Sequence, residues 1–277
     1  MIRTATQLKA KVRNLSGGDI QKAQTLIRNY IMERFLERVA LSQYRNNFIL
    51  KGGMLVAALV GLDTRATMDI DTTVKSLNLS KDNAIKIVED IIAVEIPDDV
   101  QFKITKVTNI MEEHDYPGIR FMLEATLDKM HQAVKIDIST GDIITPGAVE
   151  YSYNLMFEDR LISLWTYNLE TLLAEKLETI MARGTANTRM RDFYDIYVIS
   201  RQEAFDKEVL RRAFLATSAK RNTTGQISDF ENIIATVASD DTMAAQWQKF
   251  REDSFFVGDL SWYEVMNGVK VLATTVL

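Results

Sequence analysis

Three segments that alternate apolar and polar residues, Val100 to Ile110, Ile119 to Leu127 and Ala133 to Thr140, follow one another with only short gaps. Alternation sends every second side chain to the same face, the pattern of a half-buried strand. Antiparallel strands can be joined by tight hairpins, whereas parallel neighbours need a crossover of a dozen or more residues. The succession therefore excludes an all-helical chain and an all-parallel sheet, and predicts a mixed sheet carrying helices.

Helical patterns surround these strands. Apolar residues Ile20, Ala23, Ile27, Tyr30, Ile31 and Val39 fall on one face of a helix running from Gly18 to about Leu41. A shorter helix from Thr4 to Asn14 precedes it, separated by Gly17-Gly18. The apolar run Phe48-Ile49-Leu50 ends in Lys51-Gly52-Gly53, Met54 to Val60 reads as a short buried helix, and Thr67 to Val74 alternates as a strand. Ser80 is placed to cap a helix from Lys81 to Val94. A short strand is expected near Leu161 to Trp165, after which the character changes. Asn168 is expected to cap a helix running to Arg183, which Gly184 can end, and from Met190 onward the pattern is mostly helical. These patterns divide the chain into an α/β part, residues 1–165, and a helical part, residues 166–277.

Composition narrows the chemistry. The chain has no cysteine, so disulfides and thiolate metal sites are excluded, and two histidines, His114 and His131, are too few for a histidine-rich zinc centre. Carboxylates are plentiful, and hard oxygen ligands suit magnesium or manganese. A net charge of −5 argues against a protein that wraps nucleic acid without regard to sequence. The sequence offers no uncharged stretch long enough to span a bilayer and no apolar leader, so a cytoplasmic protein without membrane contact is expected.

Against that background two motifs stand out. Asp69-Ile70-Asp71 puts two carboxylates on one face of a strand and Ile70 on the other. Adjacent anions repel unless a cation lies between them, and a magnesium ion shared with substrate phosphates is the common solution. Lys51-Gly52-Gly53 sits where a strand turns into a helix. Free backbone N–H groups at a helix start bind phosphate, and glycine lets the phosphate approach. Either motif alone is common in ordinary strands and turns, but strand, Gly-Gly, helix, strand and Asp-x-Asp in this order is specific.

Two further constellations follow. Val134-Lys135-Ile136-Asp137-Ile138 is another alternating strand, and Asp137 is a candidate third carboxylate, as metal ligand or as base for an attacking hydroxyl. Lys176 and Arg183 share a helix face, as do Asp192 and Asp195 further on. Taken without the first motif, this second set reads better as an ordinary amphipathic helix with internal ion pairs, Arg191 with Asp195 among them. Lys220, Arg221, Arg211 and Arg212 supply a basic stretch that could meet RNA phosphates or simply be a solvated helix face.

Phe48 to Val74 (FILKGGMLVAALVGLDTRATMDIDTTV) and Leu172 to Tyr197 (LLAEKLETIMARGTANTRMRDFYDIY) together resemble the AbiEii/MenT family of nucleotidyltransferase-like toxins. The family pattern falls on Lys51, Gly52, Gly53, Arg65, Thr67, Asp69, Asp71, Lys176, Arg191, Asp192 and Asp195. The resemblance covers roughly residues 48 to 200. It implies an α+β, polymerase-β-type mixed sheet followed by a helical domain that contributes Lys and Asp to the site. It implies Mg2+ or Mn2+ on Asp69 and Asp71, an NTP substrate held by Lys51, Gly52, Gly53, Arg65, Thr67 and Lys176, and Asp192 or Asp195 as a further acidic catalytic residue. One departure bears on phosphate binding. Many nucleotidyltransferases carry serine after the first motif glycine, whereas this chain has Gly53, which leaves more of the work to backbone amides.

The resemblance implies a toxin of a type IV, abortive-infection (phage-defence) toxin–antitoxin system with an antitoxin encoded alongside. The expected reaction is attack on the α-phosphate of an NTP with pyrophosphate leaving, and the expected acceptor is RNA, the tRNA 3′ end in particular. Transfer to a protein hydroxyl and a non-catalytic NTP-binding module remain as alternatives.

Overall fold

The computed structural model describes residues 1–77, 79–110, 118–225 and 227–276. His114 lies outside these. The chain forms two compact units: residues 1–62, 66–142 and 149–166 make the first, and 63–65, 143–148 and 167–277 the second.

The first unit runs α1 (Ala5–Ser16), α2 (Ile20–Leu41), β1 (Phe48–Lys51), α3 (Gly52–Val60), β2 (Asp69–Val74), α4 (Lys81–Ile92), β3 (Val100–Ile110), β4 (Gly118–Leu127), β5 (Met130–Thr140), β6 (Val149–Asn154) and β7 (Leu161–Thr166). Among the described residues its strands form one seven-stranded sheet in the order β3-β4-β5-β2-β1-β7-β6. The sheet is mixed, as the alternating segments predict: β2 runs parallel to β5 and β1 to β7, and the remaining pairs are antiparallel. β2 is thus held between β1 and β5, in the interior of the sheet.

Local signals set the helix ends. Thr4 caps α1 by accepting from the Gln7 N–H, and Gly17 closes it in the left-handed region at φ 59°. The Ser80 hydroxyl accepts from the Asn83 N–H, as its position predicts.

α2 departs from the one-sided helix that its spacing predicts. Every residue from Asn29 to Val39 is buried, among them Glu33, Arg34, Glu37 and Arg38. Charges there survive burial only through partners. Arg38 forks onto Asp98 at 2.8 and 3.0 Å and donates to the Val100 carbonyl at 2.7 Å. Arg34 meets Glu37 at 2.9 Å, and Arg160 donates to Glu37 at 2.6 Å. Glu33 accepts from the Met156 N–H and Asn29 at 2.8 Å each. Burial nevertheless pushes its carboxyl up to about 8, against these hydrogen bonds and the nearby Arg34 charge.

β6 is the strand that periodicity does not predict. It is an edge strand, mostly exposed, with Tyr153 as its fully buried residue. With little to bury, its sequence carries little alternation of hydropathy.

The second unit runs α5 (Leu169–Arg183), α6 (Met190–Gln202), α7 (Lys207–Lys220), α8 (Phe230–Ser239), α9 (Asp241–Glu252) and α10 (Trp262–Val276). Leu173, Leu177 and Ile180 of α5, Phe193 and Ile196 of α6, Phe214 of α7, and Val265 and Val269 of α10 are all buried. Asn168 precedes α5 as expected, but its side chain does not cap the helix. Its amide instead donates to the Thr145 carbonyl at 2.7 Å. No described helix is long and apolar enough to cross a membrane.

Candidate active site

The site in the first unit is built by strand register. β2 and β5 pair in parallel, so Asp69 lies opposite Lys135 and Asp71 opposite Asp137. Ile70 and Ile136, between them, are fully buried on the other face. One carboxylate oxygen from each of Asp69, Asp71 and Asp137 lies within 4.8 Å of the others. Asp137, whose sequence alone leaves its role open, is therefore brought to the Asp-x-Asp pair.

Each carboxylate is treated differently. Lys135 ion-pairs with Asp69 across the strands. Arg120 of β4, the register partner of Asp137, donates through Nε to Oδ1 at 2.8 Å and through its terminal nitrogen to Oδ2 at 2.7 Å. That bond raises the Arg120 guanidinium above its ordinary value, against partial desolvation. Asp71 makes no salt bridge among the described residues. Burial, then the charges of Asp69 and Asp137, push its carboxyl up to about 6, while Lys51 and Lys135 pull the other way.

The glycine turn lies against the same strand. Lys51 at the end of β1 is the antiparallel partner of Asp71. The next residue, Gly52, has φ +65°, where an L side chain is strained. A Cβ built on Gly52 would also come within 2.8 Å of the Asp71 Cβ and 2.9 Å of its Cγ. Glycine is required here twice, by the backbone and by the carboxylate beside it. α3 starts at this point, with Gly53 buried in its first turn. Lys51 itself is held by Asp142, which also accepts from the Ser139 hydroxyl at 2.9 Å. Thr67 is buried, its hydroxyl donating to the Asp69 carbonyl at 3.3 Å.

The second unit gathers Lys176, Asp192, Asp195 and Arg65 into one cluster of its own residues. Lys176 of α5 donates to Asp195 at 2.7 Å and to Asp192 at 3.0 Å, both on α6. Arg65 donates to the two Asp195 oxygens at 2.5 and 3.2 Å. Asp195 therefore pairs with Lys176 and with Arg65, a partner 130 residues away in the sequence. Asp195 is completely buried, which by itself raises a carboxyl, yet Arg65 and Lys176 outweigh burial and hold it below the ordinary carboxylate range. Burial likewise opposes the Lys176 charge, and Asp192 and Asp195 overcome it, raising the ammonium above its ordinary value. Asp192 keeps some exposure and has Arg189 at 3.8 Å.

Arg183 lines a different feature, an open cavity of about 540 Å³ with Thr185, Asn232 and Thr236. Arg221 of the basic stretch pairs with Glu178 at 2.5 Å and Glu175 at 3.5 Å. Arg120 is the site residue that sequence reasoning missed. Its signal is available only once the β4–β5 register is known, because it stands 17 residues from Asp137.

Three clustered carboxylates on paired strands, next to a glycine turn that opens a helix, fit a divalent cation: the donors are hard oxygens, and Asp71 is left without a cation of its own. The sequence matches the family described as Nucleotidyl transferase AbiEii toxin, Type IV TA system, over residues 34–267, and the chain belongs to that family.

Two solved structures from Helicobacter pylori share the fold. One is JHP933, at 16% identity and TM-score 0.53, covering 91% of each chain. The other is a candidate nucleotidyltransferase, at 17% identity and TM-score 0.53, covering 91% of this chain and 94% of that one. No curated protein matches the sequence.

Proposed function

We propose that this family member is a metal-dependent toxin that transfers nucleotides from an NTP to an RNA acceptor, the 3′ end of tRNA, within a phage-defence system that includes an antitoxin. The observation that carries the reading is the triad, with Asp69, Asp71 and Asp137 bringing oxygens within 4.8 Å of one another beside Gly52. These three residues would hold Mg2+ or Mn2+, which when bound supplies positive charge to polarise phosphate oxygens and stabilise in-line displacement.

The chain's own groups do the rest. Gly52 and Gly53 form the start of α3, where the backbone N–H groups of a helix end favour phosphate. Asp71, unpaired in the triad, is the carboxylate most in need of a cation. In the helical unit, Lys176 is the cation assigned to the triphosphate. Of its two acidic partners, Asp195 has both oxygens engaged and no exposure, which suits it to fixing Lys176. Asp192 retains solvent access, which suits it to contact reactants. The RNA acceptor and the defence role rest on the family resemblance.

The test is to incubate the protein with each labelled NTP, Mg2+, total RNA and cell lysate. Label in the tRNA fraction, lost in Asp69→Ala, is expected. Label in protein alone would move the acceptor to a protein hydroxyl. No label in any fraction, with NTP binding intact, would overturn catalysis. Asp192→Asn is expected to lose transfer with a smaller loss of thermal stability than Asp195→Asn, which removes the fully buried partner of both Lys176 and Arg65.

A further inference from the structure

We infer that Arg120 is a positioning residue of the transfer site, which fixes the Asp137 carboxylate as the third oxygen donor beside Asp69 and Asp71. The inference rests on the proposed metal-dependent reading of the triad.

The geometry is that of a clamp. Arg120 and Asp137 face each other across the antiparallel β4–β5 ladder, and the guanidinium engages both carboxylate oxygens, at 2.8 and 2.7 Å. Two parallel bonds from a planar fork set direction as well as charge. Each carboxylate oxygen has about two lone-pair sites. The fork occupies one on each, so Asp137 can still offer oxygen to a cation, and one of its oxygens lies within 4.8 Å of those of Asp69 and Asp71.

A clamp is needed at this position. Asp137 is the direct register neighbour of Asp71, and the two charges repel. Without a fixed partner the Asp137 side chain would relieve that repulsion by rotating away. Lys135 offers Asp69 charge compensation of another kind, a point charge on a flexible stem. Arg120 is also too exposed, at 38% of its side chain, for the pair to add much stability. Its consequence falls on the orientation of Asp137.

The experiment titrates Mn2+ alone into the full-length protein, by electron paramagnetic resonance, for the parent, Arg120→Lys, Arg120→Met, Asp137→Asn and the Arg120→Met/Asp137→Asn double variant. Transfer kinetics and melting temperatures are measured on the same samples. Both Arg120 variants are expected to bind Mn2+ ~10-fold or more weakly, the usual scale for removing a partner that orients a ligand. kcat is expected to fall with KM for NTP nearly unchanged, and melting temperatures to stay within about 2 °C of the parent. The double variant is expected to bind no more weakly than Asp137→Asn alone, because Arg120 acts through Asp137.

Parent-like Mn2+ affinity and turnover in Arg120→Lys would overturn the inference, since lysine keeps the charge and loses the fork. Tighter binding in Arg120→Met would overturn it as well, by showing that the guanidinium only offsets negative charge. Additive losses in the double variant would do the same. Asp71→Asn separates the underlying reading: parent-like Mn2+ binding there means that the triad is not the metal site, and the inference then falls with it.

Discussion

Replacing Asp71 by Asn should make the metal-free protein more stable, at the cost of its chemistry. Asp71 is flanked by Asp69 and Asp137 and has no salt bridge of its own among the described residues, and its carboxyl is raised from the ordinary 3.8 to about 6. Between these values the native state binds more protons than the unfolded chain. Stability therefore falls as pH rises through this window, and the penalty is complete above about pH 6. At ~1.4 kcal/mol for each pH unit, raising the carboxyl that far corresponds to ~3 kcal/mol. The half-buried side chain retains some water, which reduces the figure to ~1–2 kcal/mol. In EDTA at about pH 8, Asp71→Asn should gain ~1–2 kcal/mol in urea unfolding, and near pH 4 it should match the parent. Saturating Mn2+ should reverse the order, since the parent gains ~2.7 kcal/mol at a hundredfold excess over Kd and the variant gains little. A pH-independent difference between the two proteins, or a less stable variant at pH 8 without metal, would refute the reasoning.

Three other outcomes follow from the same structure. Gly52→Ala and Gly17→Ala both place a side chain at positive φ, +65° and +59°, but only Gly52 faces another residue there. Gly17→Ala should lose ~1–2 kcal/mol of stability and Gly52→Ala more than that, because it adds a clash with Asp71, and Mn2+ affinity should fall in Gly52→Ala alone because Asp71 is pushed aside. Glu33, raised from 4.5 to about 8 by burial, weakens the fold as pH climbs through that interval. A urea series should show Glu33→Gln gaining on the parent by a few kcal/mol between about pH 4 and pH 9. Arg38→Ala leaves Asp98 fully buried without its fork and should cost ~3–5 kcal/mol in chemical denaturation.

Much of the sheet is legible in the sequence because its strands are half-buried, and half-burial writes alternation into the residues. Val100 to Ile110 and Ile119 to Leu127 show it, and both segments are strands. The signal fails at both extremes of burial. α2 is enclosed on every side, so its charged residues mimic a solvated face while pairing inside. β6 is so exposed that little hydropathy contrast remains. In the site, Asp69 and Asp71 are legible because i and i+2 share a face whatever the neighbours do. Arg120 against Asp137 and Arg65 against Asp195 are not, because each pair depends on a tertiary register or packing that no local spacing encodes.

The pairing of β2 with β5 carries a consequence for when the proposed metal site comes into being. About 60 residues, including α4, β3 and β4, separate the two strands, so their parallel ladder closes a long loop and is a non-local, intrinsically slow contact. A slip of one residue in that ladder would turn the site aspartates of one strand to the other face and bring that strand's isoleucine, Ile70 or Ile136, to the site face. A chain in which β2 and β5 are not yet paired carries all three carboxylates without bringing them together, so the proposed metal site exists only once that ladder has formed.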